Sequence, residues 1–321
     1  MKPNNSDSSK NFWKGLSDLS KPILPRAIPD NIKSKIVKVT SWPLAREVSI
    51  FLSKNFGNPP HTPILNIPPT ELYENSAHTF VWMSESMKPI GTIRYRPWGK
   101  DNTHKNHTQN RNRTYWQVDC FCVDKKYRAQ GIGSWLLKYL HLWANSNSIP
   151  YALFLKEGAP LQIPRLPFKT GIYAFSDYNS LTVTLPFSLR KISSAIAENW
   201  LNSFPLIKNK LTNIFPNDIE PNFQSFWYLY KSGTIWLIVR AEKTNQVGPT
   251  GHLGWLTNIY ESPSWNTITF QEQTQHISTC SSEISRENTW GSIWIDSQWV
   301  EISEKSPWKL DGPYYFYSFQ W

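Results

Sequence analysis

QVDCFCVDKKYRAQGIG, residues 117–133, is the stretch from which the rest of the chain can be read. Val118 to Val123 is an apolar run of the kind that forms a strand buried on both faces. The chain then turns through Lys125, Lys126 and Arg128 into a loop of the form R-x-x-G-x-G, completed by Gly131 and Gly133. A helix is expected next, because Leu136, Leu137, Leu140, Trp143 and Ala144 recur at helical spacing and leave Lys138 on the other side. Strand, basic glycine-containing turn and helix N-terminus together suit a phosphate. Glycines let backbone N–H groups approach an anion, the helix dipole favours negative charge there, and the cations add to both. The spacing matches neither G-x-x-x-x-G-K-[ST] nor G-x-G-x-x-G, so neither a P-loop nor a dinucleotide site is expected.

The composition sets outer bounds. At 321 residues the chain makes one large domain or two of ordinary size. A hydrophobic content of 40% and an aromatic content of 15% exclude a disordered protein, and 17 Trp point to wide apolar grooves or large aromatic core layers. The net charge of +10 fits nucleic acid, an anionic membrane surface or a polyanionic cofactor. Its cations are scattered and form no long run, so nucleic acid is not expected as a partner. Cys120, Cys122 and Cys280 make neither a disulfide framework nor a C-x-x-C. Cys120 and Cys122 alternate along the central strand as small hydrophobes, which implies a reducing, cytoplasmic setting. The N-terminal residues are polar and no long uncharged apolar stretch occurs, so neither a signal peptide nor a membrane span is expected. Lys2 excludes the chain itself as an N-myristoylation acceptor. His104 and His107 lie in a polar loop with no carboxylate or thiol to complete a site, so no metal is expected.

In chain order, residues 1–40 read as a tail and a Pro-punctuated arm. Residues 43–56 carry Leu44, Val48, Phe51, Leu52 and Phe56 at helical spacing, and a hairpin is expected across HTFVWMSES and GTIRYRP, turning near Lys88 and Pro89. Tyr151–Leu155 reads as a short strand, and residues 176–185 as one more strand and a boundary. The second half then repeats the first: residues 192–204 carry the helical pattern of residues 45–56, and residues 234–260 match residues 79–97, a strand with a Trp near its start, a turn, then G-x-[IL]. This divides the chain into a tail at 1–40, a domain at 41–185 and a second domain at 186–321. The second copy contains no R-x-x-G-x-G.

R-x-x-G-x-G between an apolar strand and an amphipathic helix resembles the coenzyme A diphosphate loop of the GNAT acyltransferase superfamily. A duplicated copy with one working coenzyme loop resembles, more narrowly, the N-myristoyltransferase family. That family's segment I-N-F-L-C-V-H-K-K-L-R reads here as Val118 to Arg128. Further on, Ala152, Gly158, Leu161, Pro164 and Tyr173 fall in the family's order, and Tyr314 to Phe319 resembles its late Y-Y-L-Y-N-W strand. Phe12, Trp13 and Lys14 are similar to an F-W-K triplet in the family's arm. The resemblance covers most of the chain, and only Cys120–Arg128 is specific. It implies an α+β / α/β fold of two tandem GNAT-like domains, each a mixed twisted sheet flanked by helices, with the second copy degenerate.

The resemblance also implies an acyl-CoA-dependent N-acyltransferase acting on a protein N-terminus or a small amine, as a monomer. Backbone N–H groups of Cys120 and Phe121 would form the oxyanion hole, because attack on a thioester puts negative charge on its oxygen. Cys122, Val123, Lys125, Lys126, Arg128, Ala129, Gln130, Gly131, Ile132, Gly133 and Ser134 would line the site for acyl-CoA, myristoyl-CoA or acetyl-CoA. Transfer would be direct, amine onto thioester. Two departures stand beside this. The family's chain runs on past the late strand to a terminal carboxylate that serves as base, whereas this chain stops at Trp321. Asp119 stands where the family has Asn and where many GNAT enzymes keep an acidic base. Asp119 is therefore either a general base or a hydrogen-bonded strand residue, and Tyr173 either a proton donor to the leaving thiolate or a core aromatic. Alternatives to the acyltransferase of N-myristoyl type are an acetyl-CoA-dependent GNAT N-acetyltransferase and a catalytically degenerate GNAT-fold binding protein.

Overall fold

The computed structural model describes residues 27–56, 64–73, 77–101, 113–149, 151–160, 167, 169–182, 185–203, 214–215 and 225–320. Phe12 to Lys14, His104, His107, Leu161, Pro164 and Trp321 lie outside these residues. In order, the elements are α1 (Asp30–Lys33), β1 (Ile36–Lys38), α2 (Trp42–Asn55), β2 (Ile64–Leu65), β3 (His78–Met83), β4 (Pro89–Asp101), β5 (Arg113–Val123), α3 (Ile132–Ser146), β6 (Tyr151–Glu157) and β7 (Lys169–Asp177). The second half adds β8 (Ser188–Ile192), α4 (Ser194–Ser203), β9 (Ile214–Phe215), β10 (Ser225–Ser232), β11 (Ile235–Gly248), β12 (Gly251–Glu261), α5 (Phe270–Asn288), β13 (Trp290–Asp296) and β14 (Lys309–Gln320).

The strands form one sheet in the order β1-β3-β4-β5-β6-β14-β7-β13-β12-β11-β10-β8. The order is palindromic about the β14–β7 pair: β6 answers β13, β5 answers β12, β4 answers β11 and β3 answers β10. In each half the parallel pair, β5 with β6 and β12 with β13, is bridged by a helix, α3 or α5. The C-terminal strand β14 pairs with β6, and β7 pairs with β13, so each half completes its sheet with a strand from the other end of the chain. Two shorter segments cross as well: β2 pairs with β11, and β9 with β4.

Local sequence explains the helices that matter. Ala45, Val48, Phe51 and Leu52 are the buried face of α2, which packs with Cys120 and Cys122 on one side of the sheet. Leu136, Leu137, Leu140 and Ala144 are the buried face of α3, which packs with Val118, Ile93 and Phe154 on the other. Two expectations need correcting. Residues 176–185 hold no strand of their own among the described residues; β7 runs to Asp177 and a 3-10 turn follows. The internal match is also displaced by one strand. Residues 79–97 are β3 and β4, whose counterparts in the palindrome are β10 and β11, whereas residues 234–260 are β11 and β12. Neighbouring strands of an antiparallel meander share the same alternation, so a Trp and a G-x-[IL] do not distinguish one hairpin from the next.

Candidate functional site

β5 positions the site. It pairs with β6 only at Trp116, Gln117 and Val118, opposite Ala152, Leu153 and Phe154. Beyond Val118 the two parallel strands part, so residues 119–123 keep β4 on one side and face an opening on the other. At the mouth of that opening the β4–β5 ladder slips: Asp119 pairs with Arg94 and Cys122 with Thr92, which sets Cys120 and Phe121 together opposite Ile93. This is a β-bulge, which takes its extra residue out of the ladder. Cys120 has φ +51°, a conformation few side chains adopt, and its carbonyl is held by the Thr92 hydroxyl, which donates at 2.7 Å. The bulge turns Cys120 and Cys122 toward α2, while the Phe121 ring, 40% exposed, lies over the first turn of α3.

The turn after β5 is shaped for an anion. The Asp124 carboxylate accepts from the Lys126 N–H at 2.9 Å, and the Arg128 Nε donates back to the Val123 carbonyl at 3.1 Å, folding the loop against the strand end. Ala129 (φ +63°) and Gly131 (φ +80°) both adopt the left-handed conformation, which turns successive backbone N–H groups to one side. Gly131 is the N-cap of α3, where no side chain caps the helix and no acid sits in the first turn. The start of α3 thus presents the positive end of its dipole with no side-chain cap. A Cβ on Gly133 would come within 3.0 Å of the Phe121 ring, so glycine there lets the bulge and the helix meet. Lys125, Lys126, Arg128, Ala129 and Gln130 are exposed, Ile132 is buried under the sheet, and Val123, Gly133 and Ser134 lie half-buried between.

The corresponding helix of the second half is closed to an anion. Thr269 and Glu272 form a capping box at the start of α5: the Glu272 carboxylate accepts from the Thr269 N–H at 2.7 Å, and Thr269 Oγ1 accepts from the Glu272 N–H at 3.2 Å. A carboxylate of the protein itself thus stands at the start of this helix. The second half thus differs from the first in its helix cap as well as in lacking the glycine loop.

Asp119 is hydrogen-bonded on its strand, the second of its two readings. Its two oxygens accept from Arg94 Nε and Nη2 at 2.6 and 2.8 Å, and from Arg96 Nε at 2.6 Å. Burial alone would raise its pKa, but the Arg94 and Arg96 guanidiniums outweigh it and hold the carboxyl well below the usual carboxylate range. A carboxylate with so little affinity for a proton is a poor base. The pairing continues from Arg96 Nη2 to Glu242 Oε1 at 3.0 Å, which ties β4 to β11, and Asn245 Nδ2 on β11 donates to Glu71 Oε2, in the turn at Pro69–Leu72, at 2.7 Å. Sequence alone does not show this network, because its partners lie up to 174 positions apart.

Tyr173 is packed as a core aromatic. It sits on β7, three strands from β5, and is 2% exposed, stacked on Trp294 at 4.9 Å and Tyr314 at 4.5 Å. Burial, then the nearby Glu157 charge, pushes its hydroxyl well above the ordinary tyrosine value, which makes it a weak acid toward a thiolate. Its hydroxyl donates instead to Glu157 Oε1 at 3.4 Å. The thiols are poor nucleophiles too. Burial raises Cys120 well above its usual pKa and lifts Cys122 to about 11, which suits direct transfer rather than a covalent enzyme intermediate. Among the described residues, no group of three or more His, Cys, Asp or Glu side chains is arranged to hold a metal, and no helix is long and apolar enough to cross a membrane.

Residues 48–167 match the model of the acetyltransferase (GNAT) family. The opening between β5 and β6, with its bulge and its glycine loop, lies within them, and the fold is a GNAT fold. Over the whole chain it takes the tandem form. The N-myristoyltransferase of Saccharomyces cerevisiae, solved with bound myristoyl-CoA and inhibitors, is similar with a TM-score of 0.62 at 12% identity, over 92% of this chain and 81% of that one. Two further structures of the yeast enzyme with bound myristoyl-CoA have TM-scores of 0.60 and 0.58, also at 12% identity, covering 97% and 98% of this chain and 88% and 92% of theirs. The architecture is therefore N-myristoyltransferase-like. No curated protein matches the chain by sequence.

Proposed function

We propose that this chain is an acyl-CoA-dependent N-acyltransferase that moves a long acyl group from coenzyme A to the amine of a protein N-terminus or small molecule. The observation that carries the reading is the bulge at Cys120 and Phe121, which stands at the mouth of the β5–β6 opening and beside the uncapped N-terminus of α3. The diphosphate would rest on the Arg128–Ser134 backbone with Lys125 and Lys126 alongside, and the pantetheine would enter the opening along Cys122 and Val123. Backbone N–H groups at the bulge would receive the oxyanion, preorganised donors that lower the barrier. The N-myristoyltransferase-like fold over most of the chain supports a myristoyl-length donor. The reading keeps the division at 41–185 and 186–321, with strand exchange between the two parts, and a monomer in the cytoplasm. Three free, buried cysteines support a reducing compartment.

Isothermal titration with myristoyl-CoA and acetyl-CoA tests this. Tighter binding of myristoyl-CoA is expected, and no binding of either overturns the reading. A second reading, an acetyl-CoA-dependent N-acetyltransferase, is favoured by the family match at 48–167 and the intact R-x-x-G-x-G. A preference for acetyl-CoA decides for it. Binding without turnover on any amine leaves a binding module.

A further inference from the structure

The β5–β6 opening has two arms, and the bulge occupies only one. Val118 pairs with Phe154 at the last rung. Three residues beyond that rung stand Phe121 on β5 and Glu157 on β6, so Glu157 ends the strand from which β5 has parted. Its partner in register on β14 is Tyr314, whose ring stacks on Tyr173. Glu157 therefore shares the face of the sheet that carries Cys120, opposite α3. It is the last residue of β6, and Gly158 follows in the left-handed conformation.

We propose that Glu157 is the general base of this site, and that Tyr173 is the residue that positions it. The inference rests on the acyltransferase reading above. The acceptor ammonium gives one proton to the Glu157 carboxylate. The freed lone pair forms a C–N bond at the thioester carbonyl carbon, and the carbonyl π electrons move to the oxygen at the Cys120 and Phe121 N–H groups. Collapse restores the C=O bond and breaks the C–S bond. The second amine proton goes to the departing sulfur, and Glu157 returns its proton to water.

The surroundings suit that cycle. Glu157 is exposed as a residue, so water reaches it, while its carboxyl turns inward to the Tyr173 hydroxyl. Burial of the carboxyl pushes its pKa up, the Tyr173 hydrogen bond opposes this, Asp311 on β14 adds to the rise, and Lys156 on its own strand opposes it; the balance is upward. The Tyr314 hydroxyl is committed to Asp296. A base is most useful when its pKa approaches the working pH, and Asp119 is driven the opposite way.

The test uses the full chain with two acceptors: a glycine-initiated peptide, whose amine is charged at neutral pH, and hydroxylamine, which is already neutral. Glu157→Gln is expected to bind myristoyl-CoA as the wild type does and to lose about 10²- to 10⁴-fold in kcat with the peptide. With hydroxylamine it is expected to lose less than about tenfold, because no proton need be removed first. Tyr173→Phe is expected to move the acid limb of the kcat profile to higher pH, since the hydrogen bond it removes lowers the Glu157 pKa. Equal losses with both acceptors, or a peptide rate within about tenfold of wild type, overturn the proposal. A wild-type chain that binds no acyl-CoA overturns the acyltransferase reading itself; one that binds but transfers to neither acceptor overturns the base assignment alone.

Discussion

Replacing Asp119 by Asn keeps the side chain's shape and removes its charge, which isolates what the ion network beneath the bulge contributes. The Arg94 side chain is 5% exposed and Asp119 20%. Losing one partner of a buried pair costs about 3–5 kcal/mol, because the remaining charge is left in a poor solvent. Arg96 keeps Glu242, Arg94 keeps a contact with the Glu71 carbonyl, and Asp119 is not fully dry, so the lower end applies: about 3 kcal/mol. If the chain unfolds as one unit, this lowers Tm by about 4–5 °C. The folded pKa of Asp119 lies below its unfolded value of about 3.9. Its stabilisation is thus complete above the unfolded pKa and is lost as pH falls toward the folded one. Urea melts of wild type and Asp119→Asn should therefore differ by a constant amount between about pH 5 and 8, and converge below about pH 4. A difference under about 1 kcal/mol at neutral pH refutes the network. A large kcat loss with stability and acyl-CoA binding intact restores Asp119 as the base.

Three further outcomes follow from the same geometry. Gly131→Ala forces a side chain into φ +80° at the helix start and should cost about 1–2 kcal/mol in stability, with weaker acyl-CoA binding by titration. The double change Lys125→Ala and Lys126→Ala should lower coenzyme A affinity at low salt and much less at about 1 M salt, where the screening length falls to about 3 Å. Phe121→Pro removes one N–H from the bulge and should lower kcat by about 10²- to 10³-fold with donor binding retained, whereas Phe121→Ala keeps the N–H and most of the rate.

The strand–turn–helix at 117–146 was legible because every part of its signal is local. The apolar run, the glycines and the 3.6-residue spacing of Leu136, Leu140 and Ala144 each speak within a few residues. The helix at Trp42–Asn55 and the hairpin of β3 and β4 were legible for the same reason. What escaped was non-local. That β14 inserts between β6 and β7 depends on pairing across the whole chain, and no residue of Lys309–Gln320 announces it. Asp119 looked like a base from its place on the strand, and its two arginines come from β4, which alternation alone does not aim at it. Glu157 passed unnoticed because it ends an unremarkable strand. Only the parting of β5 from β6 leaves its strand end beside an opening.

The central claim is that one opening holds the thioester between the bulge and the start of α3. A crystal structure with a non-hydrolysable myristoyl-CoA analogue measures that directly. The diphosphate is expected on the Arg128–Ser134 backbone and the analogue's carbonyl oxygen about 3 Å from the Cys120 and Phe121 nitrogens. An analogue seated elsewhere, or one whose carbonyl points away from the bulge, contradicts it.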